Sequence, residues 1–143
     1  MGLSFGLFNK IKGNDSSVQS QKIAKTRTSS RLSHNVYVVE LSKKVWSESK
    51  KFREANPQYK GIKACLYVGM TSHSPQERFK KHITGHRNKK GYKVSSKYVE
   101  KYGLFLRPSL YSTFNPLTRV AAAQLEKNLA NSLKKRGYAV WWN

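Results

Sequence analysis

Val36-Tyr37-Val38-Val39-Glu40-Leu41 and Ala64-Cys65-Leu66-Tyr67-Val68-Gly69-Met70 are the two runs on which the fold turns. Both are short and rich in β-branched and aromatic residues, which suits strands rather than helices. Each carries a tyrosine near its middle. A strand tyrosine is usually a core or interface ring, but the hydroxyls of Tyr37 and Tyr67 could also project into a shared cleft.

Beyond these runs, Lys43 to Ala55 has helix-forming composition and stops before Asn56-Pro57, so the two strands are joined by a short helix or a long excursion rather than a tight hairpin. Ser74-Pro75-Gln76-Glu77 places a capping serine, a proline at the first helical position and a glutamate three residues on, predicting a helix that runs to about Gly85. Ser95 to Tyr102 predicts a second helix, with Gly103 as its left-handed cap. Phe105 to Thr113 alternates enough for a third strand, which Pro108 assigns to an edge or a bulge. Ala121, Ala122, Leu125, Leu129 and Leu133 recur at helical spacing within Leu117 to Arg136, the longest helix, which Gly137 caps. Tyr138 to Trp142 reads as a terminal strand. The order predicts a small α/β sandwich with a mixed or antiparallel sheet.

The chain has 143 residues, 28 Lys+Arg against 7 Asp+Glu, and a formal net charge of +21. Six of the basic residues and Asp15 fall in residues 1–33, a Ser-rich stretch of little apolar periodicity that reads as a flexible basic arm. The domain from residue 34 to 143 keeps 22 basic residues against six acids. Such a surface calls for a polyanionic partner. Cys65, the single cysteine, rules out an internal disulfide and points to a reducing, cytoplasmic setting. No apolar run is long enough for a membrane span, and neither a secretion signal nor a myristoylation pattern is expected at the N-terminus. Two-metal nucleases need several convergent carboxylates and P-loop enzymes need glycine-rich phosphate loops; neither pattern is present.

Arg78 and His82, four apart on the first capped helix, share a face, with Phe79 and Ile83 as the apolar pair beside them. A guanidinium beside an imidazole suits a phosphate, although Lys80, Lys81 and Arg87 make a solvated basic face the simpler reading. Glu126 is the sole acid of the long helix, at the margin of its buried stripe; it must meet a cation, either a neighbouring Lys or Arg or a metal. His82 and His86 have zinc-like spacing but lack an acidic third ligand and a general base, so zinc is set aside.

Asn35-Val36-Tyr37, Tyr67-Val68-Gly69 with Met70-Thr71, Glu77-Arg78-Phe79 with His82, and Glu126 on a later helix, in that order, resemble the GIY-YIG nuclease superfamily over most of residues 34–143. The resemblance implies a sandwich around a three-stranded antiparallel sheet and a DNA endonuclease that hydrolyses phosphodiesters by a one-metal mechanism. It implies Tyr37 and Tyr67 as the paired tyrosines that activate or position water, and Gly69 as a close backbone approach to phosphate. Arg78 would stabilise phosphoryl charge, and His82 would assist proton transfer or phosphate contact. Glu126 would be the sole protein ligand of Mg2+ or Mn2+. The basic residues Lys80, Lys81, Arg87, Lys89, Lys90 and Lys93 are the expected DNA contacts, and the general base stays open between Tyr37, Tyr67 and His82. The protein is expected to be a monomer or a weak dimer on its substrate, associated with the nucleoid and not with membranes. Asn35 replaces the first glycine of the family motif, and Tyr37 and Tyr67 stand 30 residues apart, predicting an inserted segment at about 42–62. The family's late asparagine has two candidates, Asn131 and Asn143. The alternatives are a non-catalytic basic nucleic-acid-binding protein on a degenerate version of this fold, and a surface adaptor using the basic arm and Trp141-Trp142.

Overall fold

A computed structural model describes residues 30–85 and 96–142. The chain divides into two units, Met1–Arg31 and Leu32–Asn143, and the described strands and helices belong to the second. The greater part of the basic arm, together with His86, Arg87, Lys89, Lys90, Lys93 and Asn143, lies outside the described residues.

The two tyrosine-bearing runs form β1 (Asn35–Leu41) and β2 (Cys65–Thr71), paired antiparallel with Tyr37 opposite Gly69 and Val39 opposite Tyr67. Val36 through Val39 and Cys65 through Gly69 are buried at successive positions. Because neighbouring strand residues point to opposite faces, both faces of this central pair are covered. β3 (Gly103–Leu106) adds antiparallel to β1, and β4 (Ala139–Trp142) adds parallel to β2, giving the order β3-β1-β2-β4. The α/β class with a mixed sheet therefore holds, but the sheet has four strands rather than three. A parallel neighbour needs a crossover helix, and α5 (Arg119–Lys135), packed against β4, β2 and β1, leads the chain into β4.

The connection between β1 and β2 is α1 (Lys44–Glu48) followed by α2 (Lys50–Glu54). The single helix suggested by composition is broken at Ser49, whose backbone is extended and whose side chain caps α2 by accepting from the Phe52 N–H. Asn56 then ties this insertion to the outer edge of the sheet. Fully buried, it accepts the Val140 N–H at 2.7 Å and donates to the Phe52 carbonyl at 2.9 Å. The Gln58 amide donates to the Tyr138 carbonyl, so residues 56–58 cover the free edge of β4.

α3 (Pro75–Thr84) begins and ends as predicted: Ser74 accepts the Glu77 N–H, Pro75 opens the helix and Gly85 closes it at φ 65°. Its buried residue is not the Phe79–Ile83 pair. Phe79 is half-buried and Ile83 is 42% exposed, whereas His82 is fully enclosed. α4 (Lys97–Tyr102) follows, and α3 and α4 both pack against β1 and β3. Gly103 is extended (φ −64°, ψ 131°) and starts β3 at once, in place of the expected left-handed cap. β3 is also shorter than predicted. Pro108 cannot donate to a ladder, and two single 3-10 turns, Pro108–Leu110 and Ser112–Phe114, replace the rest of the strand. The gap this leaves beside β1 is closed by Asn115, whose amide both donates to and accepts from the Val36 backbone.

Candidate active site

Pairing Tyr37 with Gly69 and Val39 with Tyr67 puts both tyrosines on one face of the sheet, with ring centroids 6.1 Å apart. The His82 ring lies 5.9 Å from Tyr37 and 5.7 Å from Tyr67. Glycine at 69 is a packing requirement: a Cβ there would stand 2.5 Å from the Tyr37 hydroxyl. Gly69 is buried and makes room for that hydroxyl, a packing role in addition to the close approach to phosphate expected of it.

The hydrogen bonds of this cluster have a direction. The Ser96 N–H lies 2.8 Å from Nδ1 of His82 and can only donate, so Nδ1 carries no proton. Burial, reinforced by the Arg78 charge, pushes the imidazole pKa down to about 4. The ring is therefore neutral, and its proton sits on Nε2, 2.7 Å from the Tyr37 hydroxyl, to which it donates. Arg78 also donates to that hydroxyl. With both lone pairs occupied, Tyr37 turns its own proton to its remaining partner, the Tyr67 oxygen. The chain thus runs from Ser96 through His82 and Tyr37 to Tyr67.

Burial holds the Tyr37 phenol well above its ordinary value, and Tyr67 is also raised by burial. At Tyr67 this is opposed by the hydrogen bonds from Tyr37 and from the Ser96 side chain, and increased by the charge of Glu126. Glu126 is buried on α5 and accepts the backbone N–H of Met70, at the C-terminal part of β2. Burial pushes its carboxyl up to about 7. Among the described residues it forms no ion pair.

Tyr37, Tyr67, Arg78, His82 and Glu126 are thus brought into one cluster, with Arg78 only half-buried and able to meet a ligand from solvent. A lone buried carboxylate oxygen pair is a hard donor suited to Mg2+ or Mn2+. No group of three His, Cys, Asp or Glu side chains occurs among the described residues, so a cation held by Glu126 would take its remaining ligands from water and substrate oxygens. Lys80 is exposed and Lys81 half-buried on α3, and Asn131 is exposed on α5.

Sequence reasoning missed Ser96 and Met70; their backbone N–H groups leave no mark in residue type, and only the Ser96 hydroxyl, which hydrogen-bonds Tyr67, is a side-chain signal. No helix of the described residues is long and apolar enough to cross a membrane. Comparison with known proteins finds no matching family model, no similar curated protein and no similar solved structure.

Proposed function

We propose that the protein is a divalent-metal-dependent DNA endonuclease of GIY-YIG type, acting on DNA in the cytoplasm. The observation that carries this reading is the directed hydrogen-bond chain ending at Tyr67, whose phenol feels the charge of Glu126, a buried carboxylate with no ion pair among the described residues. Structural tyrosines do not need a carboxylate near them, and a carboxylate desolvated without a cation is costly unless it binds one.

When bound at Glu126, the cation would supply Lewis-acid polarisation of a phosphoryl oxygen and charge for the leaving alkoxide. The protein's own groups do the rest. His82 has both nitrogens engaged and no solvent access, so it holds Tyr37 rather than touching phosphate. Tyr37 keeps its proton and hydrogen-bonds it to the Tyr67 oxygen, which stabilises negative charge there; this favours Tyr67, once its own proton has left to solvent, as the phenolate that takes the proton of the attacking water. Arg78, the partly exposed cation of the cluster, is available to the non-bridging oxygens as charge grows on them. Lys80 and Lys81 add backbone affinity that should fall with salt.

The decisive test is Glu126→Ala. Nicking of supercoiled plasmid with Mg2+ or Mn2+ should vanish while DNA affinity, measured without metal, stays within about two-fold. Persistent metal-dependent nicking would remove the assignment. Equal binding with no nicking by the wild type would instead favour the non-catalytic reading.

A further inference from the structure

We infer that the cleft between the inserted segment and the C-terminal end of α5 is a second contact for the phosphate backbone of nucleic acid, separate from the catalytic cluster. It rests on the nucleic-acid partner proposed above and not on cleavage.

The open cleft has a volume of about 470 Å3 and is lined by Lys60 and Lys63 from one segment and by Lys134, Lys135 and Arg136 from the other, with no acid in its wall among the described residues. The acids of the domain stand elsewhere. Glu40 pairs with Arg107, Glu48 with Lys101, Glu54 with Lys50 and Glu77 with His73, while Glu100 lies against Gly85 and Glu126 in the catalytic cluster. Five like charges around one hollow repel one another, and a polyanion in the hollow relieves that repulsion.

The walls are held by contacts that leave most of these charges available. Lys43 donates to the carbonyls of Gly61 and Ile62, Gln58 to that of Tyr138, and Lys134 to that of Ala55. Gly61 and Gly137 turn the two walls at φ 80° and 102°, conformations that favour glycine. Of the five cations, only Lys134 is tied to a backbone carbonyl among the described residues. Lys63 and Arg136 flank the Tyr138 ring at 5.0 and 5.8 Å, an arrangement that combines charge with a flat apolar surface. Ile62, 79% exposed, adds apolar surface at the cleft. Cations spread over two segments in a hollow of this size match a run of phosphates better than a single anion. Lys135 is nine residues beyond Glu126, about 13 Å along the helix axis and half a turn around it, so the cleft and the catalytic cluster lie on different faces of α5.

The test compares a cleft variant, Lys60→Gln with Lys63→Gln and Lys135→Gln, with a control that removes equal charge at exposed positions outside the cleft, Lys44→Gln with Lys50→Gln and Lys97→Gln. Affinity for a 20-base-pair duplex and a 20-nucleotide strand is measured in EDTA between 50 and 200 mM salt. The cleft variant should bind about ten-fold more weakly than the control at 100 mM salt, with a salt dependence flatter by about two. Equal losses in both variants would overturn the proposal. A fold check by thermal melting accompanies each, and Lys60→Glu with Lys135→Glu provides a second variant that leaves the Tyr138 contact intact. Inorganic phosphate is titrated separately, following the Lys135 and Gly137 amides by NMR. Saturation below 1 mM would mark a small-anion pocket and overturn the backbone assignment, whereas weak binding with strong oligonucleotide binding supports it. No wild-type DNA binding at all would overturn both this site and the nuclease reading; DNA binding without nicking overturns only the latter.

Discussion

The Tyr37 hydroxyl lies 2.7 Å from Nε2 of His82, and because the opposite ring nitrogen already accepts the Ser96 N–H, the imidazole is the donor of that bond. A histidine at a reacting centre usually invites the role of acid or base. Here the ring is enclosed and neutral, so its part is to orient Tyr37. His82→Phe should remove one of the two donors to the Tyr37 oxygen and leave the Ser96 N–H without its acceptor, costing about 1–3 kcal/mol of stability and lowering kcat by about 100-fold with little change in KM. His82→Gln, which can both accept and donate, should recover part of the rate. Single-turnover cleavage at saturating DNA makes the comparison. An unchanged rate in the Phe variant would show that the orientation of Tyr37 does not matter.

Gly69 gives a second test, because the Tyr37 hydroxyl stands where a side chain would begin. Gly69→Ala should force the Tyr37 ring off His82, with an overpacking cost of about 1–3 kcal/mol. For a domain of this size that corresponds to a fall in Tm of roughly 4 °C per kcal/mol. Thermal unfolding measures it directly, and an unaltered Tm would mean the strand accommodates the methyl group without moving the tyrosine.

How much of this was legible in the sequence depends on what each residue type encodes. Strand identity came through β-branching at Val36, Val38 and Val39, and the start of α3 through Ser74 and Pro75, because these are local properties. The placing of β4 beside β2 was not legible, since Ala139 to Trp142 carry nothing that selects a parallel over an antiparallel neighbour. Gly103 misled because glycine serves equally at a left-handed cap and in extended backbone. In the site, side-chain identity pointed to Tyr37, Tyr67, Arg78, His82 and Glu126. The donors to His82 and Glu126, at Ser96 and Met70, are main-chain groups present in every residue except proline.

Stability should respond to acid through His82. Its pKa is about 4 when folded against 6.5 in the open chain, so between these values the unfolded state binds the extra proton. Stability is therefore retained above pH 6.5 and falls as pH drops toward 4, by an amount on the order of 3 kcal/mol. Glu126 acts in the opposite sense over pH 4.5 to 7, because its folded pKa is the raised one. The His82 effect is best isolated in a Glu126→Gln background. Urea unfolding of Glu126→Gln and of Glu126→Gln with His82→Gln should diverge in pH slope between 4 and 6.5. Parallel curves would show that the imidazole is not held neutral.

Glu126 itself should display a conflict between stability and function. Its carboxyl ionises only near pH 7 when folded but at about 4.5 when unfolded, so as pH rises through this window folding must increasingly oppose the desolvated charge. Glu126→Gln keeps an oxygen to accept the Met70 N–H and removes the ionisation, so in EDTA at pH 8 it should be more stable than the wild type by about 2–3 kcal/mol, solvent screening of the partly wetted carboxylate included. Below pH 4.5 the two proteins should be alike. Adding 10 mM Mg2+ at pH 8 should narrow the gap by raising the wild type alone, by about 1 kcal/mol for millimolar affinity. Thermal and urea melts with and without metal read all three comparisons. A glutamine variant less stable than the wild type in EDTA at pH 8 would mean that the carboxylate is held by a protein cation, and the single-metal role assigned to it would fall.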